Sequence, residues 1–148
     1  MRVLLDTNIL VDALTCRPPA GDEAVKLFTM CEMGDVEAFI PAQSFADAFY
    51  ILRKENKSLA IQEWFVNVLS YMQVCSLTKA DIAAAAQHAW PDFEDCLVAH
   101  GAQKIRADYL LTRNAEGFAA SAVPALSPKD FFAMLENEYG IVYDVLDL

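Results

Sequence analysis

Long apolar runs are missing from this chain: no stretch of about 18 consecutive hydrophobic residues occurs, so no membrane-spanning helix is expected. The start offers no export signal either, because Met1-Arg2-Val3-Leu4-Leu5-Asp6 meets an acid before an apolar segment can form, and a cytoplasmic location is expected. Cations are scarce, with 11 Lys and Arg against 21 Asp and Glu and a net charge of −10. Tight non-specific nucleic-acid binding needs clustered cations facing the phosphates, so this balance argues against that class. Cys16, Cys31, Cys75 and Cys96 form no C-x-x-C pair and have no His at zinc-ligand spacing, and they read as reduced core thiols. The two histidines, His88 and His100, stand in alanine-rich segments with no nucleophile or metal-spacing partner, and neither is assigned to catalysis. Repeats, low-complexity segments and interdomain linkers are also lacking. A chain of 148 residues, 55% hydrophobic, builds one well-buried core and is too short for two ordinary domains.

What is present is an alternation of strand and helix patterns. Arg2 to Leu5 reads as a buried first strand ended by Asp6-Thr7-Asn8, which favours a turn or helix start. Ala24, Val25, Leu27, Phe28 and Cys31 recur at helical spacing until Gly34 supplies a stop. Val36 to Ile40 predicts a second strand, and Pro41-Ala42-Gln43-Ser44 leads into a helix carrying Phe45, Ala46, Phe49, Tyr50 and Leu52. Leu59 to Tyr71 is a helical pattern with Ile61, Phe65, Val68, Leu69 and Met72 on one side, before a strand candidate from Gln73 to Ser76. Thr78 and Asp81 supply capping-box chemistry ahead of Ile82 to Ala89, and Pro91-Asp92 restarts a helix through Gln103. Asp108 to Leu111 and Ala122 to Leu126 complete the strands, and Ser127-Pro128-Lys129-Asp130 opens a final helix. Strands separated by helices imply parallel pairing with right-handed crossovers: a three-layer α/β/α fold around a parallel sheet of four to five strands.

In such sheets a ligand site forms beyond the carboxyl ends of the strands, where strand order reverses. Asp6 closes the first strand there, although an aspartate in that place also caps a helix. Asp47 lies among Phe45, Ala46, Ala48, Phe49 and Tyr50, where a carboxylate is hard to leave fully solvated; the plainer alternative is an exposed stripe or an ion pair with Arg53 or Lys54. Pro91-Asp92-Phe93-Glu94-Asp95 sets three acids in a first helical turn, with Asp92 and Asp95 on one face. Dipole complementation alone accounts for acids there, but like charges so near one another call for a cation. Oxygen-only acid clusters suit Mg²⁺ or Mn²⁺, which would also offset the acidic balance of the chain.

Four stretches resemble the motifs of PIN-domain nucleases in that family's order. They are Val3 to Asp12, Ala46 to Lys54, Asp92 to Ala99, and Tyr109-Leu110-Leu111-Thr112-Arg113-Asn114, and the likeness extends to about Leu135, leaving 136–148 as a tail of one PIN-like domain. The resemblance implies that Asp6, Asp47 and Asp95 are the catalytic, metal-holding acids, with Asp92 nearby and Thr112, Asn114 and Asn8 supporting them. It implies RNA cleavage leaving a 5′-phosphate. A lone PIN domain is similar to the VapC-type toxins of toxin–antitoxin pairs, which implies an antitoxin partner; a homodimer through the apolar helix near Leu59 to Met72 would fit that likeness. Two departures stand out. Asp47 occupies a position where many relatives carry Glu, and Gly117 stands where many carry Asp, leaving Glu116 as the nearest substitute ligand or a solvated turn residue. Arg53, Lys54 and Lys57 form a basic run that could guide a phosphate backbone, as could Arg17 and Arg113 if they reach the same opening; a solvated helix face is the alternative.

Two rival readings follow from the same residues. An aspartyl-phosphate phosphatase also begins with a strand ending in Asp, but it needs a second acid where this chain has Asn8. A binding-only PIN domain, its site degraded at Gly117, would bind a partner without cutting. The segment Tyr139 to Leu148 mixes apolar and acidic residues and reads as an added strand, a partner-binding segment or a frayed end.

Overall fold

The computed structural model describes residues 1–143. Its first strand, β1 (Arg2–Leu5), is apolar on both faces, and the period of two sends Val3 and Leu5 to one side of the sheet and Leu4 to the other. After it come α1 (Thr7–Thr15), α2 (Ala20–Glu32), β2 (Glu37–Pro41), α3 (Ala42–Leu52), α4 (Ser58–Leu69), β3 (Gln73–Cys75), α5 (Lys79–His88), α6 (Phe93–Lys104), β4 (Tyr109–Leu111), a 3-10 turn (Ala115–Phe118), β5 (Ala125–Leu126) and α7 (Pro128–Tyr139). Among the described residues the sheet has five strands, all parallel, in the order β3-β2-β1-β4-β5. The chain thus grows outward from β1 in one direction, then returns to its other side. The reversal falls between β1 and β4, at Asp6 and Thr112.

Each face of the sheet has its own apolar layer. Val3, Leu5, Ile40 and Leu111 pack with Ile9 and Leu10 of α1, Leu27 and Met30 of α2, Ala48 and Leu52 of α3, Ile61 and Val68 of α4, and Phe131 and Leu135 of α7. On the opposite face Leu4, Cys75 and Leu110 pack with Val98, Ala99 and Ala102 of α6 and with Phe118. The Cys96 thiol donates to Ala85 O at 3.3 Å, joining α6 to α5. Gly21 allows α2 to begin hard against the end of α1: a Cβ there would lie 2.4 Å from the carbonyl carbon of Cys16.

Several expectations are revised. Leu69 is 46% exposed and α4 ends there, so the core side of that helix is Ile61 and Val68, with Phe65 half-buried. Cys16 is not a core thiol; it is the exposed, left-handed C-cap of α1 (φ 54°). The final helix, α7, runs through Tyr139 before Gly140 ends it, so its last turn lies in the stretch beyond the family likeness. Of the tail, Tyr143 donates to Asp35 Oδ2 at 2.8 Å, while residues 144–148 lie outside the described residues, and with them the question of an added strand.

Candidate functional site

β1 ends at Asp6, whose extended backbone (φ −70°, ψ 159°) turns the chain into α1. Its Oδ1 accepts from Thr7 N–H at 2.8 Å, so the capping role is real. Its Oδ2 faces the neighbouring strand, because β1 and β4 pair in register and Asp6 N–H donates to Leu111 O at 2.9 Å. That pairing brings up Thr112, fully buried, whose hydroxyl donates to Asp6 Oδ2 at 2.9 Å. The same oxygen of Thr112 accepts from Asn114 N–H (3.1 Å) and Asn8 Nδ2 (3.3 Å), and Asn8 Oδ1 accepts from Arg113 N–H (3.2 Å). Asn8 is therefore the clasp between the two loops, which removes the phosphatase reading's remaining place for an acid. Beneath it, Thr7 and the fully buried Ser44 share a hydroxyl contact of 2.8 Å that ties α1 to α3.

Asp6 is 7% exposed, and burial pushes its carboxyl above the usual carboxylate range despite the opposing hydrogen bonds from Thr112 and Thr7. Asp92 adds to that rise. Asp95, in the first turn of α6, is pushed up to about 6 by burial and then by the charges of Asp92 and Asp6. Glu94 is raised by burial first, then by Asp47, Asp6, Asp92 and Asp95. Five carboxylates from three elements thus sense one another at the carboxyl edge of the sheet. Donors are all oxygen, the chemistry that Mg²⁺ or Mn²⁺ takes. Among the described residues, however, no three acids stand close enough to form a ready-made ligand set.

Three side chains are placed otherwise than expected, and a fourth, Glu116, falls on the second of its two alternatives. Asp47 is exposed on α3 and not forced into the interior, because Ala46, Asp47, Tyr50 and Ile51 make up the outer stripe of that helix while Ala48 and Leu52 face the core. Asp92 is the N-cap of α6 and not a first-turn residue; its Oδ1 accepts from Asp95 N–H at 3.0 Å. Glu116 is exposed in the 3-10 turn, with no side-chain hydrogen bond or ion pair among the described residues, as expected of a solvated turn residue. Arg53 stacks over the ring of Tyr50, with Cζ 4.0 Å from the centroid, and it is Lys54 that reaches the opening shared by Arg17 and Arg113.

Gly117 presses the 3-10 turn onto α6. A Cβ at this position would lie 3.0 Å from Asp95 Oδ2 and 2.7 Å from Asn114 Nδ2. The position where many relatives carry Asp is thus in contact with the acid cluster, and here Asn114 fills the space that a side chain would need. Residues that the sequence pattern missed are Glu94 and Asp12. Glu94 sits in the acidic stretch already singled out, but only the fold brings it near enough to Asp47 to feel that charge. Asp12 was visible as the lone acid of an apolar helix; it is 8% exposed and pairs with Arg113 Nε at 2.7 Å. His100 does have a partner, Asp81 at 3.0 Å, which also takes Lys104 at 2.6 Å. That cluster joins α5 to α6, away from the acids.

A parallel sheet with strand reversal at β1 and β4, and acids gathered at that reversal, defines a doubly wound α/β domain with an acidic site at its switch point. The PIN domain family model matches residues 2–116, and the chain belongs to that family. No curated protein matches it. Solved structures with the same fold include VapBC-1 from nontypeable Haemophilus influenzae (TM-score 0.66, 14% identity, 87% of this chain and 99% of that one). VapBC2 from Rickettsia felis, bound to a DNA fragment from its promoter, aligns with a TM-score of 0.63 at 19% identity over 86% of this chain and 98% of that one. A toxin–antitoxin complex from Klebsiella pneumoniae gives 0.62 at 24% identity over 85% and 97%.

Proposed function

We propose that this protein is a metal-dependent endoribonuclease, the toxin of a VapBC-like pair acting in the cytoplasm. The observation that carries the reading is the gathering of Asp6, Asp95, Asp92, Glu94 and Asp47 at the carboxyl edge of the sheet, with Asp95 pushed up to about 6 by burial and by the charges of Asp92 and Asp6. Asp6, Asp47 and Asp95 would hold Mg²⁺ or Mn²⁺, and Asp92 and Glu94 add negative charge to the same cluster. Such an ion supplies charge neutralisation at a phosphoryl group and lowers the pKa of water for attack on phosphorus. The chain's own residues do the positioning. Thr112 and Thr7 fix both oxygens of Asp6, Asn8 locks the loop after β4 to the start of α1, and Asp12 holds Arg113 beside the site.

An antitoxin partner is supported by the toxin–antitoxin complexes among the similar structures. A homodimer is supported by the exposed Leu59 (74%), Val66 (72%) and Leu69 (46%) of α4. The binding-only reading keeps two observations in its favour: Gly117 leaves the cluster an acid short, and no three acids stand in ligating range among the described residues. The test is cleavage of end-labelled single-stranded and structured RNAs in Mg²⁺, Mn²⁺ or EDTA, with Asp6→Asn and Asp95→Asn in parallel. Asn keeps the cap of α1. Metal-dependent cutting lost in both variants supports the nuclease; no cutting by the wild type on any substrate or metal favours the binding-only domain.

A further inference from the structure

The scarce cations of this chain are not spread evenly. A pocket of about 450 Å³ opens between α1, the loop before α2 and the end of α3, and Arg17, Lys54 and Arg113 all line it. Its volume lies within the ~300–1,000 Å³ typical of sites for small molecules. Its walls include the apolar side chains of Val11 and Ile51, the kind of surface on which a sugar or base packs. Arg113 directly follows Thr112, the residue bonded to Asp6, so the pocket and the acid cluster meet at that loop.

We infer that this pocket receives a nucleotide of a single-stranded polynucleotide adjoining the phosphate at the acid cluster, with Arg113, Lys54 and Arg17 on its backbone phosphate. The inference rests on the nuclease reading for what happens at the acids, but not for binding. Arg113 is presented for such a contact: Asp12, buried, holds it at Nε, and its two terminal nitrogens have no partner among the described residues, leaving the fork that phosphate takes in two parallel bonds. Arg17 is paired with Glu55, but both side chains are about two-thirds exposed (69% and 65%). An ion pair so exposed contributes little and exchanges readily for a phosphate. Lys54 has no ion-pair partner among the described residues. Three cations against two acids leave the pocket lining net positive on a molecule of charge −10, a local attraction for an anionic strand.

The probe is a fluorescein-labelled single-stranded RNA 12-mer, followed by anisotropy in EDTA from low to physiological salt, and by cleavage in Mn²⁺. Lys54→Ala and Arg17→Ala replace exposed side chains, and unchanged melting temperatures would establish that both variants fold. Each is expected to weaken binding several-fold and to flatten the log–log salt dependence by about 0.7, the value for one phosphate contact to a single strand. Asp95→Asn is expected to bind at least as tightly as wild type, because it removes a negative charge. Binding that depends on Lys54 and Arg17 without any cleavage would uphold the pocket and sink the nuclease reading. Cleavage with affinity and salt slope indifferent to both substitutions would do the reverse. A wild type that binds no RNA, or a Lys54→Ala variant that loses only a protein partner, overturns the pocket as a polynucleotide site.

Discussion

With its carboxyl pushed up to about 6 by burial and by the charges of Asp92 and Asp6, Asp95 is held in a folded state that prefers it protonated. Its pKa in the unfolded chain is near the ordinary 3.8, so its favourable contribution is complete below about pH 4 and is lost as pH rises through about 6. Asp95→Asn should therefore melt at a higher temperature than wild type at pH 7.5 and at nearly the same temperature at pH 3.5, as followed by circular dichroism. If Asp95 must be ionised to hold a cation, metal-dependent cleavage should also fall as pH drops through about 6. Thr112 gives a second residue-scale expectation. Thr112→Val keeps the shape but strips a fully buried hydroxyl from Asp6, Asn8 and Asn114 at once, which should cost about 1–3 kcal/mol in urea unfolding and lower kcat more than RNA affinity.

Between elements, the junction of β3, α5 and α6 behaves oppositely to Asp95. Lys104, then Thr78 and His100, hold the Asp81 carboxyl well below the usual range, while Lys104 also donates to Ser76 O at 2.9 Å. A depressed folded pKa contributes stability that is present above about pH 4 and is lost as pH falls through the folded value. Asp81→Asn should accordingly lower the melting temperature at neutral pH, and the gap to wild type should close in strong acid. Elements are also where the sequence was most legible. Caps such as Thr78 with Asp81 and Ser127 with Pro128 announce their helices, because the side-chain oxygen and the N–H it accepts from are neighbours in the chain. The central strands β1 and β4 were legible because they are buried on both faces and read as short apolar runs, whereas the edge strand β3, with Gln73 and Val74 exposed, gave a weaker signal. The exposure of Asp47 was not: a helix with eight apolar residues in eleven shows no polar stripe, and only packing against α1 and β2 decides which side is inward. Nor was the influence of Asp47 on Glu94 legible, since two elements far apart in sequence bring those charges together.

At the scale of the molecule, net charge and apolar surface work against each other. Self-repulsion at −10 disfavours association, while Leu59, Val66 and Leu69 on α4, with Tyr50 and Ile51 on α3, leave a large apolar area uncovered. Val66→Glu should leave monomer stability within about 0.5 kcal/mol, as surface changes do, yet shift sedimentation of a wild-type dimer to a monomer; an unchanged oligomer would place the interface elsewhere. The family was recognisable from motif order, whereas the pocket beside the acids was not, because Arg17, Lys54 and Arg113 meet only through the tertiary path of α1 and α3. One detail of β1 reaches further than the site itself. Asp6 caps α1 through Oδ1 and holds the end of β4 through Thr112, so it has a structural role whether or not the protein cuts. A lineage that stopped cleaving RNA would go on selecting this aspartate, and the opening D-T-N would persist as a fossil of chemistry already gone; among such descendants, drift at Asp95 would be the earlier sign of retirement.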